Sequence, residues 1–417
     1  MGRTRFGVRP GLGRTERLME HLGHPERAVP IVHVAGTNGK GSTAALVAAG
    51  LQAAGLATGL YTSPDLGDLR ERVTINGARL PEADWRRWAA RVEAAGQGAE
   101  DPPTLFECLT ALALLAFAEC GVAVAVVEVG LGGSFDATNV VPVPAMTILT
   151  PIALDHQEVL GPTVAAVARD KAGVIKRGAR VVSAAQSPPA RAEVARRARA
   201  VAATVRWPGH RLLWSDASGV TIEAGGRVWR TRLLGRHQAT NLGVAAAALD
   251  WMGVGRDWDW DRIQQGVAEA VWPARLEVLP GCPLVLVDGA HNLHAAHALA
   301  CALCEPHLRR PWHLVWGTLT DKPSAAMLRA VVPHVATLVV TRPAGPRGQD
   351  PQAVVGRMRL ADRLEALVEP SVPRALDTAA RRAGAGGAVL VAGSLVLAGE
   401  ARQWGRAAAG GPSPRAG

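Results

Sequence analysis

Residues 31–43, IVHVAGTNGKGST, decide how the rest of the chain is read. An apolar, β-branched run stops at a glycine-rich loop, and an alanine-rich helical pattern follows at once. A buried strand over 30–35 feeding a helix over 40–54 is an arrangement that holds phosphate at the helix N-terminus. Gly36, Gly39 and Gly41 let backbone amides converge on an anion. Lys40 reaches terminal phosphates, and Ser42 and Thr43 open a helix whose dipole favours negative charge. The usual spelling of such a loop is G-x-x-x-x-G-K-[ST]. Here Val34 stands at the first glycine position and Gly41 follows the lysine, so this loop is a variant. The whole stretch Gly36, Thr37, Asn38, Gly39, Lys40, Gly41, Ser42 and Thr43 is expected to bind a nucleotide.

Outward from the loop, ATGLYTS (57–63) reads as a second strand and RVTINGARL (72–80) as a hairpin turning at Asn76-Gly77. Helices follow at 82–95 and 104–119, then strands at 122–128 and 145–149. Strands alternating with helices predict a mostly parallel α/β sheet. Segment 205–234 switches to short strands and turns, a small antiparallel subsheet. Helices return at 238–251 and 258–270, and VWPARLEV (271–278) reads as a linker. A second α/β unit has expected strands at 284–288, 312–316, 336–341 and 388–392. The fold class is therefore α/β: a phosphate-loop sheet domain over 1–270 and, past a linker at 271–275, a smaller Rossmann-like domain over 276–408. Residues 409–417 read as a disordered tail.

Composition bounds the function. The chain has 417 residues, 48% of them hydrophobic, enough to bury two cores and to exclude general disorder. The net charge of +10 suits an acidic small molecule. Its densest basic run, RAEVARRARAVAATVR (191–206), reads as a solvated helix face without interleaved aromatics, so no nucleic-acid partner is expected. LTALALLAFAECGVAVAVVEVG (109–130) carries Glu119, Gly121 and Glu128, which predicts a buried helix and strand rather than a membrane span. The opening residues lack the apolar run of a secretory leader. Cysteines at 108, 120, 282, 301 and 304 are odd in number, as expected of reduced thiols in the cytoplasm. Cys301 and Cys304 form one isolated C-x-x-C, expected to pack in a core rather than bind zinc.

Of 46 basic residues only Lys40, Lys171, Lys176 and Lys322 are lysines. A drift that strong replaces any lysine needed only for its charge. The survivors are expected where guanidinium fails, because an amine can lose its proton or carry a covalent group. Lys176 is the exception, read as chance retention.

HVAGTNGKGS resembles the variant phosphate loop of the Mur-ligase superfamily, and most of all that of the folylpolyglutamate synthase/dihydrofolate synthase family. GLGRTERLMEHLGHPERAVP (11–30), YTSPDLGDLRERVTINGARL (61–80), TLFECLTALALLAF (104–117) and EVGLGGSFDATN (128–139) are similar to that family's successive motifs. So are LDHQEVLGPTVAAVARDKAGVIKRG (154–178), GRHQATN (235–241), WPARLEV (272–278), DGAHN (288–292), GTLTDKP (317–323) and GSLVLAGEAR (393–402). The resemblance implies ATP-dependent addition of L-glutamate to dihydropteroate or a folate through an acyl phosphate. It implies two Mg²⁺ ions, with Ser63, Glu128 and His156 as protein ligands and Lys171 carbamylated by CO₂ to hold the second. It places nucleotide contacts at Asn241, Arg275 and Asp288. His291 and Lys322 would face the acyl phosphate or the incoming amine, and Lys40, Lys171, Asp288 and His291 form the expected catalytic set. A cytoplasmic monomer is the family's habit.

Two positions depart from the pattern: Asp65 stands for a histidine and Ser134 for an arginine, both on the acceptor side. Dihydrofolate synthesis, polyglutamylation and both together stay open at this point. The alternatives are a muropeptide-type ligase, against which the 128–139 wording argues, and a non-catalytic nucleotide switch, which needs neither Arg275 nor DGAHN.

Overall fold

The computed structural model describes residues 11–281, 283–358, 364 and 366–408; the expected tail at 409–417 and Cys282 lie outside them. Eight strands form the N-terminal sheet: β1 (Ile31–Ala35), β2 (Thr58–Tyr61), β3 (Val73–Ile75), β4 (Ala78–Arg79), β5 (Val124–Glu128), β6 (Met146–Leu149), β7 (Arg180–Ser183) and β8 (Thr204–Arg206). Their order is β4-β3-β2-β5-β1-β6-β7-β8, every pairing parallel except β2 with β3 and β3 with β4. β1 lies in the middle and is buried at every residue, which is why it reads as an apolar run broken only by His33. Its C-terminal end, flanked by β5 and β6, is where α/β sheets place ligands. The hairpin turns at Asn76 and Gly77 with φ of 49° and 74°, the left-handed pair that a two-residue turn demands.

The Lys40–Ala53 helix covers one face of this sheet. It packs with the Gln238–Met252 helix and the three-stranded antiparallel sheet β9 (Arg211–Asp216), β10 (Gly219–Ala224) and β11 (Arg227–Thr231) around Leu46, Leu249, Ile222 and the fully buried Trp229. The subsheet begins later than the pattern suggests. Residues 204–206 run parallel to β7 and extend the large sheet instead. On the opposite face the Leu105–Glu119 helix starts with a capping box, Thr104 against Glu107, and Glu107 also holds Arg14 at 2.9 Å. Among the described residues no helix is long and apolar enough to cross a membrane.

The C-terminal sheet contains β12 (Glu277–Leu279), β13 (Leu284–Val287), β14 (Trp312–Trp316), β15 (Val335–Val340), β16 (Ala366–Val368) and β17 (Ala388–Ala392). Its order is β12-β13-β17-β14-β15-β16, parallel except for β12. The stretch read as linker thus ends earlier than 278, because 277–279 pairs antiparallel with β13. Each face of this sheet has its own apolar cluster, one around Trp312 and Trp316, the other around Leu376 and Leu397.

Candidate functional site

One cleft of about 1410 Å³ runs between the two sheets. On the N-terminal side its wall is the glycine loop. Gly36 (φ 141°) and Gly39 (φ 85°) take backbone that L side chains avoid. A Cβ at Gly36 would lie 1.9 Å from Thr150 Oγ1, and one at Gly39 2.1 Å from Asn241 Oδ1. Thr37 N and Asn38 N donate to Pro151 O at 3.0 and 3.4 Å, which pins the loop to the exit of β6. The first helical bond runs from Thr43 N to Gly39 O, so the amides of Lys40, Gly41 and Ser42 precede it and remain for an anion. Lys40 Nζ rests on Thr37 O at 3.2 Å. Thr43 is fully buried and, alone among the expected site residues, does not border the cleft.

Glu128 ends β5 at 4% exposure and accepts the Ser63 amide at 3.1 Å. Burial raises its pKa, with Lys40, the Ser63 amide and Arg275 pulling the other way. Lys171 ends the Val164–Lys171 helix, also at 4% exposure. Burial, and then Lys40, push its amine down to about 7 against the pull of Asp170, Asp155 and Asp136. His156 sits in left-handed backbone (φ 49°). Burial lowers it to about 4; Asp155 opposes, while Lys322, Lys171 and Lys40 add to the shift, so the imidazole is neutral. Among the described residues no three His, Cys, Asp or Glu side chains converge as a metal site. The four expected ligands contribute only one carboxylate and one imidazole, a set short of anionic donors while Lys171 is unmodified.

The C-terminal side supplies the opposite wall. Arg275 lies between Ala274 (φ 55°) and Leu276 (φ 49°), a strained turn that Asp288 holds. One oxygen of Asp288 accepts Leu276 N at 3.0 Å and the other Ala290 N at 2.8 Å. In this geometry Asp288 positions the Arg275 turn. His291 Nδ1 lies 2.8 Å from Gly289 O, and a carbonyl can only accept, so Nδ1 carries the proton. Burial and Lys322 lower this imidazole to about 4, which leaves Nε2 as a free acceptor. Asn241 donates to Gln238 Oε1 at 2.7 Å and abuts Gly39.

Three arrangements escaped the sequence. Asp155 joins the halves by accepting Lys322 Nζ at 3.0 Å and Asn292 Nδ2 at 2.9 Å, and Asn292 pairs with Asn38 at 3.0 Å. Asp136 is buried under the cleft and accepts Leu131 N and the Thr138 hydroxyl at 2.9 and 2.5 Å. Because that hydroxyl donates to Asp136, His33 Nε2–H must donate to it at 2.8 Å. His33 Nδ1 is then a buried acceptor without a partner, and burial lowers the ring to about 3. The only available signal was the Asx-turn spelling D-A-T; nothing local marks His33 as a relay. The third is Asp65, the departure at 65, whose carboxylate is bound by Arg72 Nη2 at 2.8 Å. Ser134, the other departure, donates to Asp170 O at 3.0 Å.

One expectation fails. Cys301 and Cys304 are exposed, because the inner face of the Leu293–Leu303 helix is taken by Ala296, Leu299, Ala300 and Leu303. Lys176 Nζ donates to Asn139 O at 3.1 Å, a bond to a carbonyl that arginine could also make.

Residues 274–395 match the family model described as the Mur ligase, glutamate ligase domain. A Bacillus subtilis dihydrofolate synthase/folylpolyglutamate synthase is 36% identical over 79% of this chain and 80% of its own length. A "Probable bifunctional folylpolyglutamate synthase/dihydropteroate synthase" of Haloferax volcanii is 38% identical over 97% of this chain, which spans only 49% of that relative. The solved structure of Mycobacterium tuberculosis folylpolyglutamate synthase complexed with ADP superposes with a TM-score of 0.89 at 32% identity, covering 99% of this chain and 97% of that one. The chain belongs to the folylpolyglutamate synthase/dihydrofolate synthase family of Mur-type ligases.

Proposed function

We propose that this chain is an ATP-dependent ligase that joins L-glutamate to the carboxylate of dihydropteroate, of a folate, or of both. Its two domains divide at 271–275, so that residues 1–270 hold the nucleotide and acceptor and 276–408 bring the amino acid. The observation that carries the reading is the single cleft in which the Lys40 loop and Glu128 face Arg275, His291 and Lys322. The solved M. tuberculosis relative is complexed with ADP, and in this chain the amides at 40–42 offer a nucleotide's phosphates a cradle.

A carboxylate is a poor acyl donor, because its charge repels nucleophiles and oxide leaves badly. Transfer of the terminal phosphoryl group makes it an acyl phosphate, and the amine then displaces phosphate. Lys40 and Arg275 neutralise the transferring group from opposite walls, so closure of the cleft completes the site. The amine attacks once it has lost its ammonium proton, and His291 Nε2, unprotonated at neutral pH, orients it as a hydrogen-bond acceptor.

The residues fit divalent cations. Glu128 is a buried hard-oxygen donor whose pKa burial raises, and Asp170 Oδ2 is a buried oxygen without a partner. Ser63, Glu128 and His156 would hold one Mg²⁺, and Lys171, carbamylated on its half-neutral amine, the other. When bound, Mg²⁺ offsets the charge of the phosphates. The test is mass spectrometry of products formed from ATP and glutamate with dihydropteroate or tetrahydrofolate, each component omitted in turn. Glutamylated product that needs all three supports the reading. Phosphate release that needs neither acceptor nor glutamate favours the nucleotide switch.

A further inference from the structure

Gly399 lies buried inside the Leu395–Ala408 helix. Glycine is the poorest helix former after proline, so an interior one calls for a close approach. That approach comes from the other half of the molecule. A Cβ on Gly399 would sit 2.2 Å from the carbonyl oxygen of Leu66 and 2.8 Å from its carbonyl carbon. Leu66 belongs to the loop after β2 that carries Ser63, yet its side chain packs on the C-terminal cluster of Leu279, Val287 and Leu397. One residue on, a Cβ at Gly67 would lie 2.8 Å from Gln403 Nε2 of the same helix.

The loop is braced on its own side. Asp65 is clasped by Arg72, and Leu66 N donates to Glu71 Oε2 at 2.8 Å. At its start the Ser63 amide holds Glu128. A braced loop moves as a unit, so a shift at Leu66 reaches Ser63.

We propose that Gly399 and Leu66 form the closing seat of the cleft: backbone against helix, this contact fixes how near the C-terminal half comes to the phosphate loop. It thereby sets Ser63 and Glu128 in register with His291 and Lys322. The inference rests on the ligase reading of that cleft and adds two positioning residues to it. Neither touches the reacting atoms. An added carbon at 399 needs roughly 3.5 Å to the Leu66 carbonyl, so the helix must back away by about 1 Å. Misplacement on that scale costs on the order of 10²-fold in rate.

The experiment compares Gly399→Ala with Gly405→Ala in the same helix, where a Cβ meets only the Leu279 Cδ1 tip at 2.9 Å. Alanine's helix preference acts on both variants alike. Gly399→Ala is expected to keep the wild-type unfolding temperature and its affinity for a non-hydrolysable ATP analogue. It is expected to lose about 10²-fold in kcat with little change in KM for ATP, and to scatter X-rays with a larger radius of gyration when nucleotide is bound. Gly405→Ala should match wild type in all of these. Gly399→Ala turning over within threefold of Gly405→Ala, at equal radius, overturns the seat. Should Gly399→Ala fail to fold, Leu66→Ala, which keeps the carbonyl but removes the side chain that holds the loop on the Leu279, Val287 and Leu397 cluster, decides: a lower kcat with a larger radius supports the seat, and wild-type values of both overturn it. A wild-type chain that glutamylates no pteroate or folate, beside a Gly399→Ala that still expands, refutes the ligase reading and leaves the seat standing.

Discussion

Asp155 and Lys322 meet at 3.0 Å across the cleft, one from each half, with side chains only 10% and 8% exposed. Removing one member of a buried pair strands the other charge, typically at a cost of about 3–5 kcal/mol. Apart from Leu66 and Leu234, which pack across onto the C-terminal clusters, each half has its own core, so the loss falls on closure more than on folding. Lys322→Met should therefore lower kcat by about 10²-fold or more while thermal unfolding stays near wild type. Turnover above half of wild type would mean that the pair does not hold the closed cleft. Burial works against ionisation of Asp155, but His156, Lys322 and His291 override it and hold the carboxyl well below the usual carboxylate range. The contribution of a depressed acid is full above its unfolded value of about 3.9 and is lost progressively below it, so the Asp155 carboxylate in this latch should stay ionised between pH 5 and 9.

Lys171 titrates where the latch does not. Burial brings its amine to about 7, so it is mostly neutral at pH 8 and mostly protonated at pH 6. Only the neutral amine attacks CO₂, giving a carbamate and a released proton. Enzyme stripped of CO₂ should regain ligation on adding bicarbonate, and faster above pH 7 than below it. Protein treated with ¹³C-bicarbonate should show a carbamate carbon resonance that Lys171→Arg lacks, and that variant should fold yet lose about 10³-fold or more in rate, a loss of the size expected when charge neutralisation is removed. Lys176→Arg should retain most activity, since a guanidinium also donates to Asn139 O. A Lys171→Arg enzyme near full turnover would refute the carbamate.

The parts of this molecule that were legible in the sequence are those written locally. β1, β5 and β6 are mostly apolar, each with one polar residue, because both faces are covered, and the hairpin declared itself through Asn76-Gly77. The phosphate loop was legible because its glycines answer to backbone geometry within a few residues. β8 was misassigned because three half-exposed residues show no period. Asp155 and Lys322 were illegible as a pair because 167 residues separate them and neither segment carries a pattern for the other. Cys301 and Cys304 were misplaced for a related reason: an apolar helix shows which residues it contains before it shows which face is covered.

His33 gives the fold an acid-labile point. Burial holds its pKa near 3, while an unfolded histidine titrates at about 6.5. Between those values the unfolded chain binds the extra proton, so stability falls as pH drops through the window. Glu128 and Asp136, raised by burial, act in the opposite sense, so the difference between two proteins is the cleaner reading. His33→Gln removes the titration. Its stability relative to wild type should improve by about 1.4 kcal/mol for each pH unit of acidification between pH 6 and 4. Urea unfolding at three pH values measures this, and a constant difference would show that His33 is not the buried neutral group described.

Asp65, where the resemblance implies a histidine, binds Arg72 through Nε and Nη2 at 2.9 and 2.8 Å, with side chains 5% and 12% exposed. Both residues border the cleft, and a bidentate clasp orients a guanidinium more tightly than a point charge would. Asp65→His frees the Arg72 guanidinium and installs the side chain that the resemblance implies at that position. Arg72 is then available to an anionic acceptor, so KM should fall for folates bearing extra γ-glutamates and change little for dihydropteroate, which has a single carboxylate. Asp65→Asn keeps the shape but loses the charge, and should shift KM the same way by a smaller factor. Steady-state ligation with dihydropteroate and with tetrahydrofolate mono- and diglutamate measures the ratio. An unchanged ratio in both variants would confine Asp65 to bracing the loop.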